Sequence, residues 1–291
     1  MRKFSLTGTL ALVGLLVPAG SAAGSLAGPA AAGPASAVAP VLYHVPIIGK
    51  QVVGAPLAHG AQNTTNVQST NWSGYADTSD TFRTLSSSWV QPAVNCTAGG
   101  LLGLKPLQAT YSSFWVGLDG YGSSSVEQTG TDSDCTSSHT PSYYAWYEMY
   151  PAGSVTISAT QYPVHPGDVM NGLVTSDAAG SSFTLTINDA TRGWTYSTTL
   201  AGSGLTRASA EFVAEAPSQC IALFCRQLPL ADFGTVNFSN ASVTDTAGKS
   251  GTISGFNDAD IQMASQSGTV KATPSALTAG GSAFSVTWSH S

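Results

Sequence analysis

An all-β protein, built as a β-sandwich, is the expectation from three features of the sequence. Only 9% of the 291 residues are charged, against about 25% in an average soluble domain. Glutamate occurs at Glu127, Glu148, Glu211 and Glu215 alone, whereas Ser, Thr, Gly and Val dominate, a composition that favours strands over helices. From Asn71 to Ser291 short alternating segments are broken by Gly, Asn, Asp and Ser. More than ten such segments joined by short turns imply two antiparallel sheets packed face to face. A hydrophobic content of 42% excludes a highly charged disordered chain. A net charge of −6 lacks the basic footprint of a nucleic-acid binder.

The N-terminal residues stand outside that pattern. Arg2 and Lys3 precede an apolar run from Leu10 to Val17, and small residues follow. Residues 1–37 are therefore expected to be a signal peptide cleaved near 23 or 37, since the run is too short to span a bilayer. Residues 38–68, rich in Ala, Gly, Pro and Val at their start, are expected to be a propeptide or linker. The sandwich domain is placed at 69–291. The implied product is a secreted, extracellular monomer with no membrane association after processing. Four cysteines in an exported chain should be oxidised. Of three possible pairings the expected one joins Cys220 to Cys225, closing a small loop, and Cys96 to Cys135. A zinc site competes, but no C-x-x-C or His pair accompanies these cysteines.

Side-chain parity gives three strands two distinct faces, because neighbours on a strand point to opposite sides. Over 114–119, Phe114, Val116 and Leu118 oppose Trp115, Gly117 and Asp119. Over 143–150, Tyr143, Ala145, Tyr147 and Met149 oppose Tyr144, Trp146, Glu148 and Tyr150. Over 206–215, Thr206, Ala208, Ala210, Phe212 and Ala214 oppose Arg207, Ser209, Glu211, Val213 and Glu215. Further strands are expected at 86–90, 155–158, 169–175, 182–188, 195–200, 236–243, 262–264 and 283–288. One face of each two-faced strand suits the interface between sheets. The other mixes aromatic rings with carboxylates, which on an outer face would leave an exposed apolar patch. Side by side, these faces make a groove for an extended polypeptide or sugar chain, with Trp115, Asp119, Trp146, Glu148 and Tyr150 as candidate ligand contacts.

Several chemistries lack their residues. No G-x-S-x-G is present, and Gly120-Tyr121-Gly122-Ser123-Ser124 looks like a turn. His44 and His59 fall in the expected propeptide, His165 lies in a turn and His290 adjoins the terminus, which disfavours a Ser–His–Asp triad. Phosphate loops, H-E-x-x-H and EF-hand patterns are missing. Asp132 and Asp134 are expected in a solvated polar turn, with calcium binding as the other reading. Carboxylates remain, and Glu211 and Glu215 share one strand face.

Five short segments in order resemble the eqolisin family, the glutamic peptidases. They are Asn71-Trp72-Ser73-Gly74, Trp115-Val116-Gly117-Leu118-Asp119-Gly120, Gln128-Thr129-Gly130, Ala145-Trp146-Tyr147-Glu148-Met149-Tyr150-Pro151 and Ala210-Glu211-Phe212-Val213-Ala214-Glu215. The resemblance implies a concanavalin-like sandwich of about seven strands per sheet, with the site on the concave face of one sheet. It implies that Gln128 is the catalytic glutamine and Glu215 the catalytic glutamate, with Glu211 at the other acidic position. The chain departs from the family at Tyr144, where relatives often carry Asp, at Met149, where eukaryotic relatives usually carry Trp, and in a propeptide whose fixed cation is Lys50 alone.

Such a pair could hydrolyse a peptide bond without metal or cofactor. An ionised Glu215 would take a proton from water as general base and return it to the leaving nitrogen as acid. Gln128 would donate to the oxyanion at any pH. The low charge suits an acid optimum, since little positive charge is left when carboxylates protonate. The competing readings are a glycoside hydrolase using Glu215 with Glu148 or Asp119, and a carbohydrate- or peptide-binding module without activity.

Overall fold

Alternation converts directly into layers in the computed structural model, which describes residues 41–53, 64–97, 108–221 and 224–291. These lie in the second of two units of the chain, Pro40–Ser291. The expected signal peptide falls outside the described residues.

One layer runs, in spatial order, through β8 (Val155–Thr156), β7 (Pro141–Tyr150), β6 (Val126–Cys135), β5 (Ser113–Leu118), β12 (Ala210–Glu215), β3 (Trp72–Thr78), β17 (Asn257–Ala264), β2 (Thr64–Ser69) and β1 (Gln51–Val52). The other runs through β18 (Val270–Pro274), β19 (Phe284–Trp288), β15 (Thr235–Asp245), β4 (Phe82–Val90), β9 (Val169–Ser176), β10 (Ser182–Asp189) and β11 (Trp194–Ala201), with β16 (Ser250–Gly251) on the end of β15. The β17–β18 hairpin carries the pairing from one layer into the other. The first layer thus exceeds seven strands through short edge strands, and β2 pairs with β17 in parallel, an exception to the antiparallel expectation. Both β1 and β2 come from residues expected to precede the domain. A separate hairpin joins β13 (Ser218–Ile221) and β14 (Phe224–Gln227).

Phe114, Val116 and Leu118 of β5, Phe212 of β12, and Phe82, Leu85 and Trp89 of β4 fill the space between layers. A second cluster covers the opposite face of the first layer, with Trp72, Trp115, Trp146, Val126 and Val213 at its centre. The cysteines form Cys96–Cys135 and Cys220–Cys225, which removes them as zinc ligands. No helix among the described residues is long and apolar enough to cross a membrane.

Two local expectations are corrected. The strand expected over 206–215 begins at Ala210, because residues 206–208 wrap a carboxylate instead. Thr206 Oγ1 and the amides of Arg207 (2.7 Å) and Ala208 (2.9 Å) donate to Asp119, and Arg207 takes φ 53°. Asp132 and Asp134 lie in β6 and are buried, not in a solvated turn.

The chain buries most of its acids. All four Glu are buried, as are Asp77, Asp119, Asp132, Asp134, Asp168, Asp189, Asp245, Asp258 and Asp260, although carboxylates seldom go fully inside unpaired. Among the described residues Lys271 is the only buried Lys or Arg. Burial pushes Glu127 up to about 9, Asp260 to about 7 and Asp258 to about 6, and raises Asp77 and Glu211 well above the ordinary range.

These groups hold their protons more tightly folded than unfolded. Their contribution to stability is complete below the unfolded pKa of about 4 and is lost as pH climbs through the folded values. Asp168, lowered by Arg192 in spite of burial, and Asp177, held at about 2 by Ser181, act oppositely and only at lower pH. Calorimetric scans should therefore show Tm falling steadily from about pH 5 to about pH 9; a Tm that rises across that window contradicts the neutral-carboxyl reading.

Gly130 in β6 marks a tight point beneath the second cluster. A Cβ there would meet the Phe114 carbonyl oxygen and lie 2.6 Å from Trp115 Cβ. Gly130→Ala should cost about 1–3 kcal/mol by overpacking, read as a lower denaturant midpoint than wild type.

Candidate active site

Register places the candidate residues on one face. Across β3, β12, β5, β6 and β7 the Cα partners form three rows. The first row is Ala76, Glu211, Gly117, Gln128 and Glu148. The second is Gly74, Val213, Trp115, Gly130 and Trp146. The third is Trp72, Glu215, Ser113, Asp132 and Tyr144. Gln128 and Glu215 therefore flank the Trp115 row diagonally, on the side of the first layer that faces away from the core between sheets.

That face is covered by the chain's own residues 42–48. Tyr43 exchanges backbone hydrogen bonds with Ser218 at 2.9 Å, and Ser154 N–H donates to Leu42 O at 3.0 Å. Ile47 N–H donates to Gly120 O at 3.1 Å, and Ile48 N–H donates to Asn71 Oδ1 at 2.7 Å. Between these anchors the segment crosses the dyad candidates. Gln128 Nε2 donates to His44 O at 2.6 Å. Trp72 Nε1 donates to Val45 O at 3.1 Å. Asn71 Nδ2 reaches Val45 O and Pro46 O, each at 3.3 Å, and Glu215 Oε1 at 3.4 Å. Trp115 Nε1 holds the other oxygen, Glu215 Oε2, at 2.8 Å. Gln128 thus contacts the segment directly, while Glu215 is linked to it through Asn71, which reaches both Glu215 and the next two carbonyls, Val45 O and Pro46 O.

The His44 side chain enters the same site. Its ring stacks on Trp146 with centroids 3.6 Å apart and planes 2° from parallel. Nδ1 lies 2.8 Å from Glu148 Oε2, and Nε2 lies 3.0 Å from Ser113 Oγ and 3.7 Å from Asp132 Oδ1. Burial opposes the imidazolium, but Asp132 and Glu148 outweigh it and push His44 up to about 10. Asp132 is itself fixed by Trp146 Nε1 at 2.6 Å and by the Tyr144 hydroxyl at 2.9 Å. Burial raises Glu148, and the His44 cation pulls it back. Burial under the segment also raises Glu215 well above its ordinary value, with the His44 charge and the Trp115 and Asn71 hydrogen bonds opposing.

Gln128, Glu215, Trp115, Trp146 and Glu148 come together here. Tyr150 packs at the margin of the same cluster. Asp119 is occupied by the 206–208 loop, and Glu211 sits near Asp119 and Glu127, away from residues 44–46. Asn71, Trp72 and Ser113 were not singled out as site residues from sequence, and Asp132 was weighed only as a calcium ligand against a solvated turn. Asn71 and Trp72 open the first of the five ordered segments, which was the available signal. Ser113 and Asp132 carried none beyond their parity with Trp115 and Gln128.

Comparison with known proteins agrees with this fold. The family model of the Peptidase A4 family matches residues 70–288. The chain is similar to the crystal structure of scytalido-glutamic peptidase with a transition state analog inhibitor, at 26% identity and a TM-score of 0.63, covering 76% of this chain and 98% of that one. The enzymatically active domain of tailspike protein 2 from bacteriophage CBA120 aligns at 10% identity and a TM-score of 0.30, covering 65% of this chain and 27% of that one. None of the curated proteins matches the sequence. With the family pattern spanning the sandwich and a glutamic peptidase sharing its fold, this chain belongs to the Peptidase A4 family of peptide-bond hydrolases.

Proposed function

We propose that the chain is a secreted acid endopeptidase, a monomer acting on polypeptides, in which Glu215 activates water and Gln128 stabilises the oxyanion. The observation that carries this reading is the 2.6 Å hydrogen bond from Gln128 Nε2 to a backbone carbonyl on the strand lying across the face. A donor already aimed at a peptide oxygen strengthens its hold as that oxygen becomes an alkoxide. Water adds to the carbonyl carbon while Glu215 takes its proton. The tetrahedral intermediate then expels the amine as Glu215 returns the proton to nitrogen. Trp115 and Asn71 orient the carboxylate throughout. No step calls for a metal.

The chain is also its own first occupant, so the secreted form is a precursor. While residues 42–48 lie in the cleft, burial keeps Glu215 protonated and unable to act as base. Displacing the segment wets the carboxyl and returns its pKa towards about 4. Activity then has an acid range set below by ionisation of Glu215 and above by loss of the neutral-carboxyl fold.

Digestion of a denatured protein at pH 3–4 tests the dyad. Glu215→Gln and Gln128→Ala should each lower kcat by about 100–1,000-fold or more, with circular dichroism unchanged. Either variant retaining near wild-type turnover defeats the assignment. With the wild type, turnover at pH 4 should exceed that at pH 7.5 by at least about tenfold, parallel to the loss of folded protein; a maximum above pH 7 contradicts acid operation.

A further inference from the structure

The clamp on His44 carries information about substrate choice. We propose that Trp146, Glu148, Ser113 and Asp132 form the pocket for the residue that donates the scissile carbonyl, and that this pocket selects the planar cation of histidine, so that the enzyme cuts peptides after histidine. The inference rests on the peptidase reading above and specifies its substrate.

Three observations place the pocket. First, the carbonyl that Gln128 contacts is that of His44 and no other residue. The side chain on that residue therefore occupies the position beside the reacting carbon, and Val45 N is the amide nitrogen that would leave. Second, every polar atom of the ring is met: Nδ1 by Glu148 at 2.8 Å, and Nε2 by Ser113 at 3.0 Å with Asp132 behind it at 3.7 Å. When ionised, Glu148 can only accept from Nδ1, and the Asp132 carboxylate behind Ser113 favours a second ring N–H at Nε2, so the surroundings suit an imidazolium, which donates from both nitrogens. Third, Trp146 lies flat against the ring at 3.6 Å, an arrangement that rewards a planar cation over an aliphatic chain. Glu148 Oε2 also accepts His44 N–H at 2.9 Å, so one carboxylate reads both the backbone and the side chain of this residue.

The Asp132 side of the pocket is fixed by groups other than the ligand. Trp146 and Tyr144 fix Asp132 through hydrogen bonds of 2.6 and 2.9 Å, and register holds Ser113 opposite Asp132. Phenylalanine would keep the stacking and the backbone N–H to Glu148 but offer neither Glu148 nor Ser113 a ring nitrogen. Leucine would lose the stacking as well. In the reaction, water oxygen bonds to the histidine carbonyl carbon and the bond to the next residue's nitrogen breaks. One water proton passes through Glu215 to that nitrogen, leaving a new carboxyl and a new amine.

The test uses acid-treated full-length protein at pH 4, where free histidine is protonated, and a set of peptides identical except for His, Arg, Lys, Phe or Leu before the scissile bond. Mass spectrometry of the products gives kcat/KM for each. Charge-assisted hydrogen bonds at the pocket predict that His exceeds Phe and Leu by about tenfold or more. Glu148→Gln should shrink the His-to-Phe ratio to within about threefold, mostly through KM. Cleavage of the Phe or Leu peptide as fast as the His peptide by the wild type overturns this inference and leaves the peptidase reading intact. Cleavage of none of the peptides, nor of denatured protein, overturns both. The wild-type comparison decides the matter even if the Glu148 variant does not fold.

Discussion

Carboxyl groups held away from water, with too few cations to pair them, set the terms for the rest of the molecule. Thirteen of the sixteen acids are buried, and the described structure offers them one buried lysine and a few partners such as Arg192 and His44. Ionising them together would cost far more than a fold's net stability of about 5–15 kcal/mol. The workable state is one in which most stay protonated and the remaining charges are matched by specific donors. The directions of these shifts favour the fold as pH falls, and the same burial shapes the candidate active face as much as the core.

The same constraint bears on the candidate catalytic carboxylate. Glu215 is fixed by Trp115 Nε1 on one oxygen and approached by Asn71 Nδ2 on the other. Both hydrogen bonds favour the ionised form, yet burial beneath residues 42–48 reverses the balance. The positioning groups therefore belong to the sandwich, while the residues that cover the carboxyl belong to the segment that precedes it. A face of Trp and carboxyl side chains would be a poor surface to leave open at neutral pH. A segment that brings its own cation, the His44 ring, answers both the apolar and the charged part of that face.

Much of this was legible in the sequence wherever one face of a strand was apolar. Phe114, Val116 and Leu118 against Trp115 define the orientation of β5, and Phe212 against Val213 does so for β12. The dyad residues needed the ordered family segments as well, since a lone Gln in a polar run has no distinguishing pattern. Asp132 and Asp134 escaped because the later part of β6, Thr-Gly-Thr-Asp-Ser-Asp, shows no apolar alternation although all ten residues of the strand are buried. Its burial comes from pairing on both edges and cover on both faces, none of which is local. His44 escaped for a related reason: its partners Ser113 and Glu148 lie 69 and 104 positions away, and its own surroundings in sequence are Pro, Val and Leu. The shortening of β12 at Ala210 follows from Asp119, which captures residues 206–208 across the turn.

Tyr144 shows how a departure from the family pattern fits this frame. Its hydroxyl lies 2.9 Å from Asp132 Oδ2 and 2.7 Å from Asp134 Oδ2, bridging two acids that share one strand face. An aspartate at this position would put a third carboxyl beside them, and like charges in a buried site force at least one to hold a proton. The phenol avoids that titration, because its own ionisation is pushed further up by burial and by both acids. It remains a donor across the whole working range of pH. Asp134 is raised by burial and by Asp132, and Asp132 is the member of the pair that faces the His44 ring, at 3.7 Å. A phenol at this position thus ties both acids of the corner through one hydroxyl without adding a third carboxyl beside the two that meet the His44 ring, Asp132 and Glu148.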